Sequence, residues 1–112
     1  MSKNNDVGKV LDIVSEDDFT EVVLKSLTPV FVDFWAPECI PCRMQTPIMN
    51  DCAIELGAQA VVARVNVDLL PGIAEQLNIV GIPTITVYQD GCEIKRFVGI
   101  QAKKTLLDFL NN

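Results

Sequence analysis

Six consecutive residues, Val30-Phe31-Val32-Asp33-Phe34-Trp35, are apolar apart from a single carboxylate. A continuous run of β-branched and aromatic residues reads as a central strand buried on both faces, because a strand with one wet face alternates instead. Such a strand needs neighbours at its edges and helices above and below it. Val61 to Asp68 reads as a second strong strand. The stretch between the two, roughly Cys39 to Leu56, carries a helical stripe at Met44, Ile48, Cys52 and Leu56. Strand, helix, strand over that length is a βαβ unit with a right-handed crossover.

The rest of the chain completes the layers. Val10 to Val14 reads as a short strand, and Ser15 starts a helix with Asp18 as its capping-box partner. That helix has apolar positions at Phe19, Val22, Val23 and Leu27 and is closed by Pro29. Ala36 to Pro41 is a loop; Pro47 is expected to kink the long helix and Gly57 to end it. Leu69 to Leu77 becomes a short helix. Thr84 to Gln89 and Glu93 to Val98 are strands joined through Asp90-Gly91, a two-residue hairpin signal. Ala102 to Leu110 closes as an amphipathic helix. The expected class is α/β, a central mixed β-sheet flanked by helices on both faces.

The 112 residues suit a single domain, 1–112, with residues 1–8 as a short flexible N-terminal segment. With 49% hydrophobic residues the chain can build a core without disulfide staples or a structural metal. A formal charge of −6 argues against a nucleic-acid partner and an anionic membrane surface, both of which need a basic face. No apolar h-region follows Met1, and no apolar stretch approaches the roughly 20 residues that span a bilayer. The expected localisation is cytoplasmic.

In a reducing cytosol the four cysteines read as reactive thiols, metal ligands or core fillers rather than structural disulfides. Cys39-Ile40-Pro41-Cys42 is the informative motif. A spacing of three on a helical turn puts both sulfurs on one face, and the helix N-terminus favours thiolate on the first. Cys39 is therefore the candidate nucleophile and Cys42 the resolving thiol. Pro41 suits an early helical position, where its missing N–H leaves nothing unsatisfied. A zinc site uses the same spacing but needs two more ligands; the chain has no His, and Cys52 and Cys92 do not form a second close pair. Cys52 lies on the apolar stripe and reads as a core filler, and Cys92 reads as structural, with a regulatory thiol as the alternative.

The motif and its flanks resemble the thioredoxin family. Val32-Asp33-Phe34-Trp35-Ala36-Pro37, then Cys39 and Cys42, then Pro47, are similar to that family's active-site segment. Val65-Asn66-Val67-Asp68 with Pro71-Gly72, Gly81-Ile82-Pro83-Thr84 and Val98-Gly99 follow in the family's order, so the resemblance covers about residues 10 to 110. It implies a thioredoxin-like fold and a protein-disulfide reductase whose only redox group is the Cys39–Cys42 pair, with no separate cofactor. It implies Asp33 as the buried acid that takes the proton of Cys42, and Pro83 as a cis proline. Trp35, Ile82 and Gly99 would line a shallow groove beside Cys39. Taken from the residues alone, Asp33 also fits a solvated strand position, and Trp35 fits plain core packing. Three departures stand out: Glu38 where the family usually has Trp, Ile40 where it has Gly, and Arg64 where it has Lys. An Arg stays charged, so any role for Arg64 is electrostatic, with a solvated position on the polar side of a strand as the other reading.

The implied partners are disulfide-containing proteins and a flavoprotein thioredoxin reductase, either general or dedicated to this chain, which would act as a monomer. Two other functions remain open at this stage. One is an isomerase-like or oxidising protein of different redox poise; the other is a binding module with no redox turnover, against which the complete set Cys39, Cys42, Asp33 and Pro83 speaks.

Overall fold

The computed structural model describes residues 7–111. Of the segment 1–8 read as flexible, residues 1–6 lie outside the described residues; Val7 and Gly8 form a turn. The strands are β1 (Val10–Asp12), β2 (Val30–Trp35), β3 (Val61–Asn66), β4 (Thr84–Gln89) and β5 (Cys92–Val98). They form one sheet in the order β1-β3-β2-β4-β5. β1, β3 and β2 run parallel, whereas β4 is antiparallel to β2 and β5 antiparallel to β4. The apolar run is thus the middle strand, hydrogen-bonded on both edges.

Side-chain alternation on β2 divides the core. Val30, Val32 and Phe34 pack with Phe19, Val22, Val23 and Ile73, under α1 (Glu16–Phe19) and α3 (Pro71–Gln76). Phe31 packs with Met49, Leu56, Leu106 and Leu107, under α2 (Ile40–Leu56) and α4 (Lys103–Asn111). Asp33 has the parity of Phe31 and therefore faces the α2 side.

Local chemistry accounts for the element boundaries. Ser15 caps α1 by accepting from the Asp18 N–H at 3.0 Å, while the Asp18 carboxylate accepts from Val14 N–H rather than from the cap residue itself. The expected single helix to Leu27 is corrected. After Phe19 the chain becomes π-helical over Thr20–Leu24, with Lys25 N–H donating to Thr20 C=O. Ser26 and Thr28 then close a local turn through their side chains, which leaves Leu27 97% exposed. β3 stops at Asn66, whose side-chain oxygen accepts from the N–H groups of Asp68 and Leu69 and turns the chain. Gly57, at φ 54°, ends α2 as expected, and Pro47 sits inside that helix without interrupting it. Asp90 and Gly91 both have positive φ, as a type I′ hairpin requires.

The stripe expected on α2 is also corrected. Met44 is 57% exposed, and the buried face runs through Cys42, Gln45, Met49, Cys52, Ala53 and Leu56. A strict spacing of four gains about 40° per step on a helix of 3.6 residues per turn. Met44 and Leu56 therefore cannot share one face, whereas alternating steps of three and four hold the line.

Candidate active site

Cys39 is the N-cap of α2, with extended backbone at φ −92°, ψ 108°. Its sulfur accepts the Cys42 N–H at 3.2 Å, so the first sulfur itself supplies the cap normally made by a side-chain oxygen. Ile40 is the first helical residue and Pro41 the second, where no intrahelical donor is needed. Cys39 and Cys42 are joined as a disulfide with Cα atoms 5.2 Å apart. Cys42 is fully buried and Cys39 partly exposed, so a partner sulfur reaches the first and not the second. The Arg43 guanidinium folds back to donate twice to Pro37 C=O, at 3.0 and 2.8 Å, bracing the loop before the cysteines. Glu38 and Ile40 both face solvent there, Ile40 at 67% exposure.

Opposite this turn lies the loop before β4. The Ile82–Pro83 peptide is cis. The Thr84 hydroxyl donates to Gly81 C=O, closing the loop from below. The Ile82 carbonyl oxygen stands 3.8 Å from the Cys39 sulfur. Gly99, at φ 91°, donates its N–H to Pro83 C=O at 2.8 Å, which joins the end of β5 to the same rim. Cys39, Ile82 and Gly99 are thus the partly exposed members of this rim, with Cys42 and Pro83 buried behind them. Trp35 ends β2 and is partly exposed.

Asp33 is completely buried, and neither of its oxygens accepts a hydrogen bond from the described residues. Burial dominates and pushes its carboxyl up to about 7, against the opposing pull of Arg64. The solvated reading of Asp33 is excluded. Arg64 is not solvated either: its side chain is 18% exposed, its guanidinium lies 4.0 Å over the Trp35 ring, and it reaches Asp12 at 3.8 Å.

Cys52 is buried, and its thiol is pushed up to about 11, chiefly by that burial, as a core filler requires. Cys92 differs from its structural reading: it is exposed on β5, paired with Gln89 beside the hairpin, at the opposite end of β4 from Pro83. Position after a turn does not reveal which face of an edge strand a residue takes. Among the described residues no group of three or more His, Cys, Asp or Glu could hold a metal, and no helix is long and apolar enough to cross a membrane.

Sequence reasoning missed Gln45. It is buried on α2 and closes both backbone groups of Gln101: its amide oxygen accepts from Gln101 N–H at 2.7 Å, and its amide nitrogen donates to Gln101 C=O at 3.0 Å. The available signal was a polar residue three positions past Cys42, on the helix face that the cysteine fixes as inward.

Comparison with known proteins gives a consistent result. The Thioredoxin family model matches residues 10–112. The thioredoxin of Mycolicibacterium smegmatis is 42% identical over 101 residues, covering 88% of this chain and 90% of that protein. Thioredoxin 1 of Synechococcus elongatus is 41% identical over 98 residues, covering 88% and 92%. A solved thioredoxin from Malassezia sympodialis superposes with a TM-score of 0.84 at 30% identity, covering 93% of this chain and 90% of its own.

Proposed function

The chain belongs to the thioredoxin family of thiol–disulfide oxidoreductases, and on that premise we propose that it reduces protein disulfides by attack from Cys39 and resolution by Cys42. The supporting observation is the unequal placement of the two sulfurs. Cys39 is partly exposed at the helix N-terminus beside Ile82, and Cys42 is fully buried one turn in. The positive end of the helix and the Cys42 N–H stabilise a thiolate at Cys39.

The cycle balances as follows. The Cys39 thiolate attacks one sulfur of the target disulfide, forms a mixed disulfide and expels the other target sulfur as a thiolate. Cys42 gives its proton to Asp33, directly or through water, and attacks the Cys39 sulfur. The Cys39–Cys42 disulfide forms and the second target thiolate leaves; the target has gained two electrons and the enzyme has lost two. A carboxyl near 7 is matched to accepting a proton at neutral pH. The Ile82 backbone, beside Cys39, pairs with an extended target segment, with Trp35 and Gly99 lining the same groove.

On this reading the redox group is the cysteine pair alone. The enzyme works in the cytoplasm in electron transfer and redox homeostasis, as a single-domain monomer. A flavoprotein thioredoxin reductase, dedicated rather than general, returns it to the dithiol. The test is trapping. Mixed with a protein disulfide, Cys42→Ser is expected to accumulate a covalent adduct by mass spectrometry, and Cys39→Ser none. Trapping by Cys39→Ser instead would reverse the two roles.

A further inference from the structure

We propose that Gln45 is a positioning residue, which holds the Gly99–Gln101 segment, and through it the Ile82–Pro83 rim, in place against the sulfur pair. This rests on the reading of that rim as the target-binding groove.

Gln45 lies three residues after Cys42, on the same inward face of α2. Its neighbours on that face, Cys42, Met49, Cys52 and Leu56, are all apolar or sulfur-bearing, so a buried amide is costly there unless paired. It is paired throughout. The oxygen takes Gln101 N–H, and the nitrogen serves Gln101 C=O and approaches the Met49 sulfur at 3.4 Å. The Gln101 side chain then donates to both Val98 C=O and Gly99 C=O at 3.2 Å. Gly99 N–H bonds Pro83 C=O, and the Ile82 oxygen faces the Cys39 sulfur. A closed circuit therefore runs from the cysteine helix through Gln45, Gln101, Gly99 and the cis proline back to Cys39. Gln45 is the link in that circuit between α2 and the segment after β5. The reciprocal geometry fixes that segment in two directions, because one amide holds both the N–H and the C=O of a single residue. An apolar side chain of similar volume would fill the space, leave Gln101 unpaired and free the groove wall to shift.

The prediction separates groove use from sulfur chemistry. Pre-reduced wild type, Gln45→Leu and Gln45→Glu are mixed with insulin, whose disulfides need the groove, and with 5,5′-dithiobis(2-nitrobenzoate), which does not. Gln45→Leu is expected to slow about tenfold on insulin, the order expected for losing a pair of hydrogen bonds, and to match wild type on the small disulfide. Gln45→Glu reproduces both bonds only when protonated, so its insulin rate relative to wild type at the same pH is expected to recover as pH falls. That profile carries the test by itself if Gln45→Leu does not fold. Equal effects on both substrates, or a Gln45→Glu ratio flat in pH, would overturn the proposal. A wild type inactive on both disulfides would instead remove the reductase reading beneath it.

Discussion

Asp33 and Arg64 stand opposite each other across the β2–β3 ladder, yet the Arg64 guanidinium lies over the Trp35 ring, 4.0 Å from its centroid, and gives the carboxylate no hydrogen bond. The cation is near enough to pull the Asp33 carboxyl down and too far committed to solvate it. Burial therefore wins, and the group sits at about 7 in the folded protein. A buried acid without a donor costs stability wherever it must ionise.

That cost has a defined pH window. Unfolded, Asp33 returns to an ordinary value near 3.8. Because the folded value is the higher, the folded state holds the proton more tightly, and stability falls as pH rises from about 4 to about 7. The full span is worth roughly 4 kcal/mol at 1.36 kcal/mol per unit. Asp33→Asn is expected to flatten the dependence over that window and to raise stability at pH 8. Urea unfolding of the two oxidised proteins at pH 4.5, 6 and 8 measures it; parallel curves would contradict the burial of an unpaired carboxyl.

The same substitution is expected to harm turnover while helping stability. On the proposed mechanism Cys42 then lacks its proton acceptor, so resolution of the mixed disulfide is expected to slow most near neutral pH and to recover at higher pH as solution base takes over. Formation of the mixed disulfide is expected to change little. Rapid-quench kinetics of the two steps across pH checks this, and an unchanged profile for the resolving step would remove Asp33 from the mechanism.

Arg64 offers a control on the electrostatics. Arg64→Gln removes the attraction that holds the Asp33 carboxyl down, so the midpoint of the resolving step is expected to move to higher pH. Arg64→Lys keeps the charge and is expected to keep the midpoint nearer wild type. It gives up the flat guanidinium stack on Trp35, worth about 0.5–2 kcal/mol of stability. A midpoint that ignores both variants would show that the charge does not reach Asp33.

The features legible in the sequence are those encoded by neighbouring residues. The run from Val30 to Trp35 announces a two-faced strand, Asp90-Gly91 a hairpin, and Gly57 a helix end, because each depends on backbone preferences within a few positions. Cys39 and Cys42 are legible for the same reason. Pairings between distant residues were not. The Gln45–Gln101 pair spans 56 positions, and the Arg64–Trp35 stack depends on register between two strands. The π-helical turn at Thr20–Leu24 shifts its hydrogen bonds by one residue without any residue type that demands it. Cys92 shows the weakness of position alone: one residue beyond a turn is as easily outward as inward.

Glu38 and Ile40 are expected to set which reductase this protein can use. Both are solvent-facing on the loop and first turn that carry Cys39. The nearby Arg43 guanidinium is spent on Pro37 C=O, so the Glu38 charge is left for a partner to meet. Beside the nucleophile a carboxylate opposes thiolate formation, while the helix N-terminus favours it. At exposed sites each effect is typically near or under about 1 kcal/mol, so the two largely cancel. Recognition carries the larger consequence. A Trp at this position, usual in the family, would present a flat apolar contact of the kind that dominates interface energy, and Glu38 replaces it with a charge that repels acidic surfaces. A general NADPH-dependent thioredoxin reductase is therefore expected to reduce the wild type poorly, and a dedicated reductase would carry a basic docking site. Glu38→Trp with Ile40→Gly is expected to improve kcat/KM with the general enzyme by about tenfold or more, as restoring one aromatic interface anchor does. Steady-state kinetics of both proteins with one such reductase decides the matter: an efficient wild type, and a double variant that gains nothing, would end the case for a specialised partner.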